Sequence, residues 1–366
     1  MTRNTPEYWE VNLPIWNADQ DNTLVCCAIK NETHDVKSFY FKPLKPSLFQ
    51  FLPGQFITLE LEINGESINR CYTISSTPTR PHTLSITVKR HPNGIVSNWL
   101  HDNMQVGRQI SVLGAAGDFT CTQHPAKKYL FLSGGSGVTP LMSMSRSFYD
   151  LVEDADIAFL HSARTPADII FAHELQLMSQ QTHFRSTFIC EKADTDWLQT
   201  TNCFGGYLNI DTLKQAVPDF IQREVFTCGP APYMAAVREL LKNADFNMGQ
   251  YHEESFNFDT LPANDQATAE VTSQTFSTSD KFNVEFTKSG THVNCAPDQF
   301  VLDAGIAAGM RLASSCRKGL CGTCKSKLIS GKVDMKHGGG IRQREIDQGM
   351  FLPCCSKPLT NLVVEK

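Results

Sequence analysis

The stretch that decides the fold of the last part of this chain is Cys-Arg-Lys-Gly-Leu-Cys-Gly-Thr-Cys, residues 316–324. Four residues separate its first two cysteines and two separate the next pair, and a further cysteine follows at position 354. This spacing is typical of a plant-type [2Fe–2S] cluster, in which a tight loop supplies three thiolates and a later segment supplies the fourth. Gly319 and Gly322 suit such a loop, because its backbone N–H groups must turn toward sulfur. The predicted cluster ligands are Cys316, Cys321, Cys324 and Cys354.

Two other readings of these cysteines fit less well. Zinc sites prefer two short cysteine pairs or mixtures of cysteine and histidine, and the four-residue gap suits neither. Disulfides are disfavoured because residues 1–10 have neither the basic nor the apolar part of a secretory signal. Only one of the adjacent Cys354 and Cys355 can be the fourth cluster ligand. Neighbours in a strand face opposite sides, and Leu352-Pro353-Cys354 resembles the Leu-x-Cys ending of plant-type ferredoxins, so Cys355 is predicted to be a packed thiol.

Length and composition favour a protein of two or three domains. The 366 residues are 41% hydrophobic, and no run approaches the roughly 18 apolar residues that span a membrane. Thirteen cysteines, an odd number in a large chain, favour a reducing cytoplasm. The formal net charge is −5, yet residues 279–366 hold thirteen Lys and Arg against eight Asp and Glu. This modest basic excess favours a docking face for an acidic protein partner over nucleic-acid binding.

Hydrophobic patterning divides the chain into three folded parts. Between residues 24 and 121, short β-rich runs alternate with turn signals such as Asn64-Gly65, which predicts a small antiparallel β-barrel. After His124, apolar strands alternate with helical patterns, including one at 167–178, which predicts an α/β doubly wound parallel sheet. The predicted boundaries are an N-terminal arm at 1–20, the barrel at 21–124, the α/β domain at 125–258, a polar linker at 259–278 and the cluster domain at 279–366.

The segment Arg70-Cys71-Tyr72-Thr73-Ile74-Ser75 ends a predicted barrel strand and resembles the Arg-x-Tyr-Ser/Thr signature of ferredoxin–NADP reductase-like flavoproteins. In that signature an arginine serves the pyrophosphate, an aromatic ring packs on flavin or ribose, and a hydroxyl faces flavin N5. Gly94-Ile95-Val96-Ser97 resembles the next element of the same family, which receives phosphate at a helix start and favours FAD over FMN. The resemblance implies FAD contacts from Arg70, Tyr72, Thr73, Ser75, Gly94, Val96, Ser97 and Phe119.

A glycine loop, residues 133–140 with the sequence Ser-Gly-Gly-Ser-Gly-Val-Thr-Pro, follows a predicted strand and precedes a predicted helix. Glycine N–H groups in that position can hold a pyrophosphate at the start of the helix. The Gly-x-Gly-x-Thr-Pro form resembles the NAD(P)-binding loop of the same reductase family, and it differs from the Gly-x-Gly-x-x-Gly dinucleotide fingerprint. The implied contacts are Gly135, Ser136, Gly137, Thr139 and Pro140.

Two later segments resemble the nicotinamide side of these reductases. Cys228-Gly229-Pro230 is similar to the family's Cys-Gly-Pro motif, whose cysteine lies beside nicotinamide C4, and the alternative is a small buried thiol. Glu253 and Phe256 resemble the closing Glu-x-x-Phe, in which the carboxylate orients nicotinamide and the aromatic ring covers flavin. Phe256 could equally belong to an ordinary core. The predicted catalytic residues are Thr73, Cys228 and Glu253, and Cys228, Gly229, Pro230 and Phe256 complete the predicted cofactor-binding set.

The remaining polar signals are weaker. Arg164 follows the second predicted parallel strand, where the 2′-phosphate of NADPH would be recognised. One arginine is not a phosphate clamp, so NADH is favoured over NADPH. Histidines at 161, 173, 252 and 292 share no metal-ligand spacing, and we predict structural or surface roles for them.

The order of the motifs indicates a mechanism. NADH gives up two electrons as hydride, a [2Fe–2S] centre takes one, and flavin can divide the pair. The chain is thus identified as a member of the flavin reductases with a carboxyl-terminal β-grasp ferredoxin domain, which serve Rieske-type oxygenases and the hybrid-cluster protein. Residues 336–358 resemble most the reductases of glycine betaine monooxygenases, which implies electron supply for glycine betaine demethylation. A hybrid-cluster protein reductase is the alternative. An iron–sulfur redox-sensing module, the alternative from another class, lacks a predicted DNA-binding helix pair.

The cluster's surroundings carry two further expectations. Plant-type clusters have potentials near −400 mV, and the charges of Arg317, Lys318 and Lys325 are expected to raise that value by favouring the reduced state. The predicted docking face consists of Lys336, Arg342 and Arg344.

Overall fold

The computed structural model of the protein describes residues 12–18, 20–152, 154–199, 202–255 and 281–366, the last range without residues 311, 313, 315, 316, 320, 321, 339 and 342. The chain divides into two compact units, Met1–Phe256 and Asn257–Lys366. The predicted linker at 259–278 lies outside the described residues. None of the helices in the described part of the chain has the length and apolar composition that crossing a bilayer requires.

The first unit begins with an antiparallel sheet that closes into the predicted barrel. Its elements are β1 (Thr23–Thr33), β2 (Val36–Pro43), β3 (Phe56–Ile63), β4 (Glu66–Thr73), β5 (Leu84–Lys89), helix α1 (Ile95–Asn103) and β6 (Gln109–Val112). The strand order is β4-β3-β6-β1-β2-β5. A bridge between Ile74 and Ile86 joins the end of β4 to β5 and closes the ring. Asn64 and Gly65 both have positive φ, as the predicted turn between β3 and β4 requires.

The described part of the predicted N-terminal arm lies on this barrel. The backbone N–H of Trp16 donates to the Leu48 carbonyl at 2.8 Å, and the Trp16 ring packs edge-on against Phe49 with centroids 5.2 Å apart. These contacts hold the described part of the arm against the barrel domain.

A parallel sheet with helices on both faces follows the barrel. It contains β7 (Lys128–Gly134), α2 (Val138–Leu151), β8 (Asp156–Ala163), α3 (Ala172–Met178), β9 (Phe184–Cys190), α4 (Thr195–Leu198), β10 (Cys203–Gly205), α5 (Ile210–Ala216), β11 (Glu224–Gly229), α6 (Ala231–Asn243) and β12 (Tyr251–Ser255). The strand order is β10-β9-β8-β7-β11-β12, and every pairing is parallel. The order reverses between β7 and β11, and ligands bind at the carboxyl ends of strands at such a switch point.

Two layers of side chains pack against this sheet. Phe131, Phe159 and Phe226 lie on the face that α2 and α3 cover. Leu132, Leu160 and Leu213 belong to the core on the other face, beside α5 and α6. Strands buried on both faces explain the continuous apolar runs in the sequence.

One helix boundary differs from the sequence prediction, which placed a single helix at 167–178. The structure has a 3₁₀ turn at Pro166–Asp168, where the carboxylate of Asp168 accepts hydrogen bonds from the backbone N–H and the hydroxyl of Thr165. Phe171 then has φ of 60° and precedes α3 (Ala172–Met178). The capped turn and the left-handed residue interrupt the helix that residue periodicity alone suggests.

The second unit has the mixed sheet and packed helix of a ferredoxin domain. Its elements are β13 (Phe282–Phe286), β14 (Thr291–Cys295), α7 (Val301–Ala307), β15 (Ser326–Ser330), β16 (Val333–Met335), α8 (Gln343–Asp347), β17 (Met350–Phe351), β18 (Ser356–Pro358) and β19 (Leu362–Glu365). The main sheet has the order β14-β13-β19-β15-β17, with β13 and β19 parallel. The barrel, the doubly wound sheet and the ferredoxin domain are thus confirmed.

Candidate functional site

The end of β4 presents the residues predicted to hold FAD. Arg70 and Tyr72 are half-buried on one face of the strand, and Thr73 is buried on the other. The hydroxyl of Thr73 has no hydrogen-bond partner among the described residues. A buried hydroxyl normally finds a partner, so this orphaned group fits a site completed by a bound polar molecule. Burial also raises the pKa of Tyr72, which keeps its phenol neutral.

Ser75 has hydrogen-bond partners within the protein. Its hydroxyl bonds to the hydroxyls of Ser85 and Thr87 at 2.9 and 2.8 Å, and its backbone N–H donates to the Ser85 carbonyl at 2.8 Å. Its own carbonyl accepts a hydrogen bond from Arg146 at 2.5 Å. Every polar group of Ser75 is thus engaged within the protein, and its contact to FAD stays a prediction.

The second predicted FAD element forms the start of α1. Gly94 precedes the helix, and a Cβ there would lie 2.9 Å from the Cβ of His91, so glycine is required. The hydroxyl of Ser97 accepts from the His91 N–H at 3.2 Å and holds the turn. Val96 is 2% exposed in the barrel core, so only its backbone could serve a phosphate. The first-turn N–H groups of this helix remain suited to an anion.

Phe119 joins the barrel to the α/β domain. Its ring packs edge-on against Phe226 with centroids 5.5 Å apart, in the core beneath α2. Gly54 has φ of 98° and lies against the Phe119 backbone, which leaves no space for a side chain at position 54. The ring of Phe119, which is predicted to contact flavin, therefore also helps to hold the barrel against the α/β domain.

The glycine loop leaves space in one direction and none in the other. Gly135 has φ of 52°, it is half-buried, and an added Cβ would meet nothing within 4 Å. A Cβ on Gly137 would overlap the Cys228 carbonyl and lie 2.5 Å from the Gly229 nitrogen. The Thr139 hydroxyl donates to the Ser136 carbonyl at 3.1 Å, and Pro140 lies in the first turn of α2. The open side of this loop fits a dinucleotide pyrophosphate.

A row of polar side chains crosses the sheet below this loop. Strand registers place Glu254 beside Cys228, Cys228 beside Ser133 and Ser133 beside His161. The Ser133 hydroxyl and Nδ1 of His161 are 2.7 Å apart. Burial raises the pKa of Cys228 well above its usual value and the Glu254 carboxylate adds to this, while burial lowers the pKa of His161 to about 3. Both side chains are therefore neutral at physiological pH, and Cys228 is not a thiolate nucleophile.

The structure puts Glu254, and not the predicted Glu253, on the sheet face of Cys228. Glu253 pairs with Thr227 in the strand register, and its carboxylate accepts from Arg238 at 2.5 Å and from the Tyr251 hydroxyl at 2.7 Å. That ion pair lies on the face covered by α6. Alternation along β12 puts the two glutamates on opposite faces, and only the pairing with β11 shows that Glu254 is the one beside Cys228. Phe256, the other predicted residue here, lies outside the described residues.

A cluster of two histidines and one glutamate lies near the amino ends of β11 and β12. Nε2 of His252 and Oε1 of Glu224 are 2.6 Å apart, and the His252 ring stacks on His124 with centroids 3.7 Å apart. Stacked rings direct their nitrogen lone pairs along nearly parallel planes, so they converge poorly on one metal ion. The contacts fit the structural role predicted for His252.

The second unit positions the cysteines that the described residues include. Cys324 and Cys354 are 3% and 4% exposed in the domain core, while Cys316 and Cys321 lie outside the described residues. Gly319 and Gly322 have φ of 69° and 67°, and the Gly319 carbonyl accepts from the N–H groups of Gly338 and Gly340 at 3.0 and 2.9 Å. This pinned loop with buried thiols fits a [2Fe–2S] cluster.

The positive charge of Lys325 is paired with a carboxylate. Its ammonium and the Glu345 carboxylate are 2.6 Å apart, and both side chains are largely buried. Arg317 is exposed and lies 4.0 Å from Asp303. The expected upward effect of these cations on the cluster potential is therefore partly offset by paired carboxylates, and it remains a prediction.

Comparison with known proteins identifies the same three parts. Residues 24–121 match the family described as oxidoreductase FAD-binding domain, residues 131–239 the oxidoreductase NAD-binding domain, and residues 284–359 the 2Fe-2S iron-sulfur cluster binding domain. The solved structure of phthalate dioxygenase reductase, described as modular for electron transfer from pyridine nucleotides to [2Fe–2S], has the same fold. It superposes with a TM-score of 0.58 at 22% identity, covering 96% of this chain and 100% of that one.

Two curated relatives extend over nearly the whole sequence. The glycine betaine monooxygenase reductase subunit of Chromohalobacter salexigens is 45% identical over 373 residues, covering 100% of both chains. The stachydrine N-demethylase reductase subunit Stc4 of Rhizobium meliloti is 37% identical, covering 93% of this chain and 96% of the relative. The chain therefore belongs to the family of monooxygenase reductase subunits that includes these two proteins, and it is an oxidoreductase with FAD-binding, NAD-binding and [2Fe–2S]-binding domains.

Proposed function

We propose that this protein passes electrons from NADH through FAD and a [2Fe–2S] cluster to a Rieske-type oxygenase that demethylates glycine betaine in the cytoplasm. The observation that carries the proposal is the 45% identity to a glycine betaine monooxygenase reductase subunit over the full length of both chains. The relationship to a stachydrine N-demethylase reductase supports an N-demethylating partner. A hybrid-cluster protein as acceptor has less support, because both of these relatives serve demethylation or monooxygenase systems.

Different residues of the first unit would bind FAD and NADH. When bound, FAD would take two electrons as hydride from NADH and release them singly toward the cluster. Arg70 and the start of α1 would hold the FAD pyrophosphate, and the Thr73 hydroxyl would bond to the flavin ring. The loop at Gly135 and Ser136 would hold the NADH pyrophosphate. Neutral Cys228 would not compete as a nucleophile beside nicotinamide, and Glu254 would orient the nicotinamide amide.

In the second unit, Cys316, Cys321, Cys324 and Cys354 would ligate the iron atoms, as thiolates do in plant-type sites. The burial of Cys324 and Cys354 would keep water away from these two ligands when a cluster is bound. The exposed Lys336 follows β16, and we include it with Arg342 and Arg344 in a docking face for an acidic oxygenase surface.

The proposed function is tested by reconstitution with a purified glycine betaine oxygenase. Addition of glycine betaine should accelerate NADH consumption, and demethylated betaine should form in proportion to the NADH used. Replacing the oxygenase by a hybrid-cluster protein should give no such dependence. Fast reduction of the hybrid-cluster protein, without betaine-dependent turnover in the first mixture, would favour the alternative acceptor.

Substitution of the two adjacent glutamates should separate their roles. In Glu254→Gln, flavin reduction at saturating NADH is expected to slow by about tenfold or more, because a carboxylate beside Cys228 is lost from the nicotinamide side. In Glu253→Gln, the rate should change by less than about twofold, since an exposed ion pair contributes only about 0.2–1 kcal/mol. Stopped-flow absorbance at the flavin band measures both rates. The opposite order of effects would support Glu253, as predicted from the sequence, over Glu254.

The docking face predicts a salt dependence in one step only. Exposed charges are screened beyond about 8 Å at physiological ionic strength. Electron transfer to the oxygenase should therefore slow as salt rises, and Lys336→Glu should slow it further at low salt. Reduction of flavin by NADH should be insensitive to both changes. Lys45→Glu, an exposed lysine of the barrel, is the matched control. A similar salt response in both steps would contradict this face.

A further inference from the structure

One face of α2 is bonded to the chain segment that directly follows the predicted flavin residues. Ser143, Arg146, Ser147 and Asp150 are spaced so that they share a helix face. The bonds join Ser143 Oγ to the Ser76 carbonyl (2.6 Å), Arg146 Nη1 to the Ser75 carbonyl (2.5 Å), Ser147 Oγ to Thr77 Oγ1 (2.9 Å), and Asp150 Oδ2 to Thr79 Oγ1 (2.5 Å) and Arg80 Nε (2.8 Å). We call these four helix residues and residues 75–80 the α2 seam.

Arg146 is the buried centre of the seam, with a side chain only 7% exposed. Its Nε and Nη2 donate to the two carboxylate oxygens of Glu174 at 2.7 and 2.6 Å, while Nη1 serves Ser75. Its guanidinium also lies 4.7 Å above the ring of Phe171. The planar fork of arginine matches this arrangement, and the single ammonium of a lysine could satisfy only part of it.

The Arg146–Glu174 pair is ionised at physiological pH. Burial alone would raise the pKa of Glu174, but the hydrogen bonds and positive charge of Arg146 more than offset this and lower it. An ion pair with little solvent access has strict geometric demands, because misplacement leaves buried charge without compensation. The seam therefore holds α2 in a fixed position against the segment after β4.

The same helix begins at the other half of the site. Gly137 immediately precedes α2 and touches the Cys228–Gly229 backbone, while Ser75 follows Thr73 by two residues. From Val138 to Arg146 the helix rises about 12 Å. A small tilt at the seam would thus shift the glycine loop relative to Thr73. Reacting atoms must approach to about 3–3.5 Å, and a 1 Å misplacement can cost about a hundredfold in rate.

We propose that Arg146 is a positioning residue for hydride transfer, which sets the distance between the nicotinamide side and the flavin side of the site through α2. The inference rests on the NADH-to-FAD step proposed above. In that step the C4–H bond of NADH breaks, and the hydrogen leaves with both bonding electrons for flavin N5. NADH is oxidised to NAD⁺ and FAD is reduced. Arg146 touches neither reactant and acts by fixing Ser75 and the helix.

Anaerobic stopped-flow reduction of the full holoprotein tests this role with Arg146→Met and Arg146→Lys. In the methionine variant, the limiting rate of flavin reduction should fall by about one to two orders of magnitude. The dissociation constant of NADH should change much less, and the long-wavelength absorbance of nicotinamide stacked on flavin should weaken. Lysine should restore part of the rate, because it keeps the charge and one donor. FAD content and the cluster's EPR signal should match those of the unchanged protein.

A second variant covers the case in which Arg146→Met does not fold. Thr77→Val combined with Ser147→Ala removes both partners of a buried seam bond. It also removes the Thr77 acceptor of the Thr79 N–H and the Ser147 donor to the Ser143 carbonyl. Its limiting rate should also fall, by a smaller factor. Arg185→Met is the matched control, because it removes an arginine 3.2 Å from Asp156 that lies outside the seam. The control should reduce flavin at the normal rate.

The outcomes separate this inference from the proposed function. If the unchanged protein fails to reduce its flavin with NADH, the proposed function itself is wrong. If the unchanged protein is active and the seam variants lose thermal stability or FAD while keeping the normal rate per bound flavin, the seam is only structural and the positioning role of Arg146 is overturned. A lower limiting rate with intact FAD content and little change in NADH affinity supports it.

Discussion

Cys354→Ser is expected to eliminate the EPR signal of the dithionite-reduced [2Fe–2S] cluster and, with it, electron transfer to any oxygenase. Cys354 is buried in the core of the ferredoxin unit, where Cys324, another predicted ligand, is also buried. A serine hydroxyl is a much weaker iron ligand than a thiolate at neutral pH, so the cluster should be lost or bound poorly. Flavin reduction by NADH should persist, since the residues predicted to bind FAD and NADH belong to the other unit.

The adjacent cysteine provides the matched control. Cys355→Ser should keep the cluster signal, because Sγ of Cys355 lies 3.6 Å from the Leu352 carbonyl and an added Cβ on Gly319 would lie 2.7 Å from that sulfur. The segment Pro353–Cys355 is a 3₁₀ turn and not the strand assumed from the sequence. Successive side chains still diverge there, by about 120° per residue. Loss of the signal in Cys355→Ser, with retention in Cys354→Ser, would reverse the ligand assignment.

The sequence predicted those features that depend on local pattern and on general topology. Short strands with turn signals gave the barrel, and apolar strands alternating with helices gave the doubly wound sheet. The contact of Gly137 with Cys228 also follows from this topology, because β7, which the glycine loop follows, and β11, which contains Cys228, are neighbours at the switch point. Such motifs meet in space because parallel strands place their carboxyl ends at one edge.

Features that depend on register and packing could not be predicted in the same way. A shift of one residue moves a side chain to the other face of a sheet, so Glu253 and Glu254 are hard to distinguish without the pairing of β12 with β11. The engaged hydroxyl of Ser75 depends on β5, whose nearest bonded residues are Ser85 and Thr87. A hydroxyl in a motif is equally suited to a ligand or to a neighbouring strand, and only the tertiary structure decides.

The α2 seam shows the same limit on a larger scale. Ser143, Arg146 and Asp150 have the spacing of an ordinary polar helix face, and such a face normally lies toward solvent. In the structure that face meets the segment after β4, and Arg146 is 6% exposed as a whole residue. A charged side chain is rarely buried without a specific partner. The burial of Arg146 is therefore the observation that suggests a role for α2 in positioning the site.

Gly137→Ala is expected to weaken NADH binding by about 5- to 150-fold while FAD and the cluster remain bound. The added methyl would overlap the Cys228 carbonyl and lie 2.5 Å from the Gly229 nitrogen, and backbone atoms cannot rotate away as a side chain can. Forcing extra volume into a packed interior costs about 1–3 kcal/mol, and each 1.4 kcal/mol transmitted to binding is a factor of ten in the dissociation constant. Titration of the holoprotein with NADH under anaerobic conditions measures this constant directly.

Gly114→Ala is the matched substitution, because its Cβ would meet only the Ala18 Cβ at 3.8 Å, an ordinary contact distance. It should leave NADH affinity unchanged, so that a difference between the two variants reports the contact with Cys228 and not the loss of a glycine. The three atoms nearest the Gly137 Cβ position belong to Cys228 and Gly229, so flavin content and the cluster's EPR signal test whether the damage is local. Normal NADH affinity in Gly137→Ala would show that the close packing of this loop on Cys228 does not form the nicotinamide side of the site.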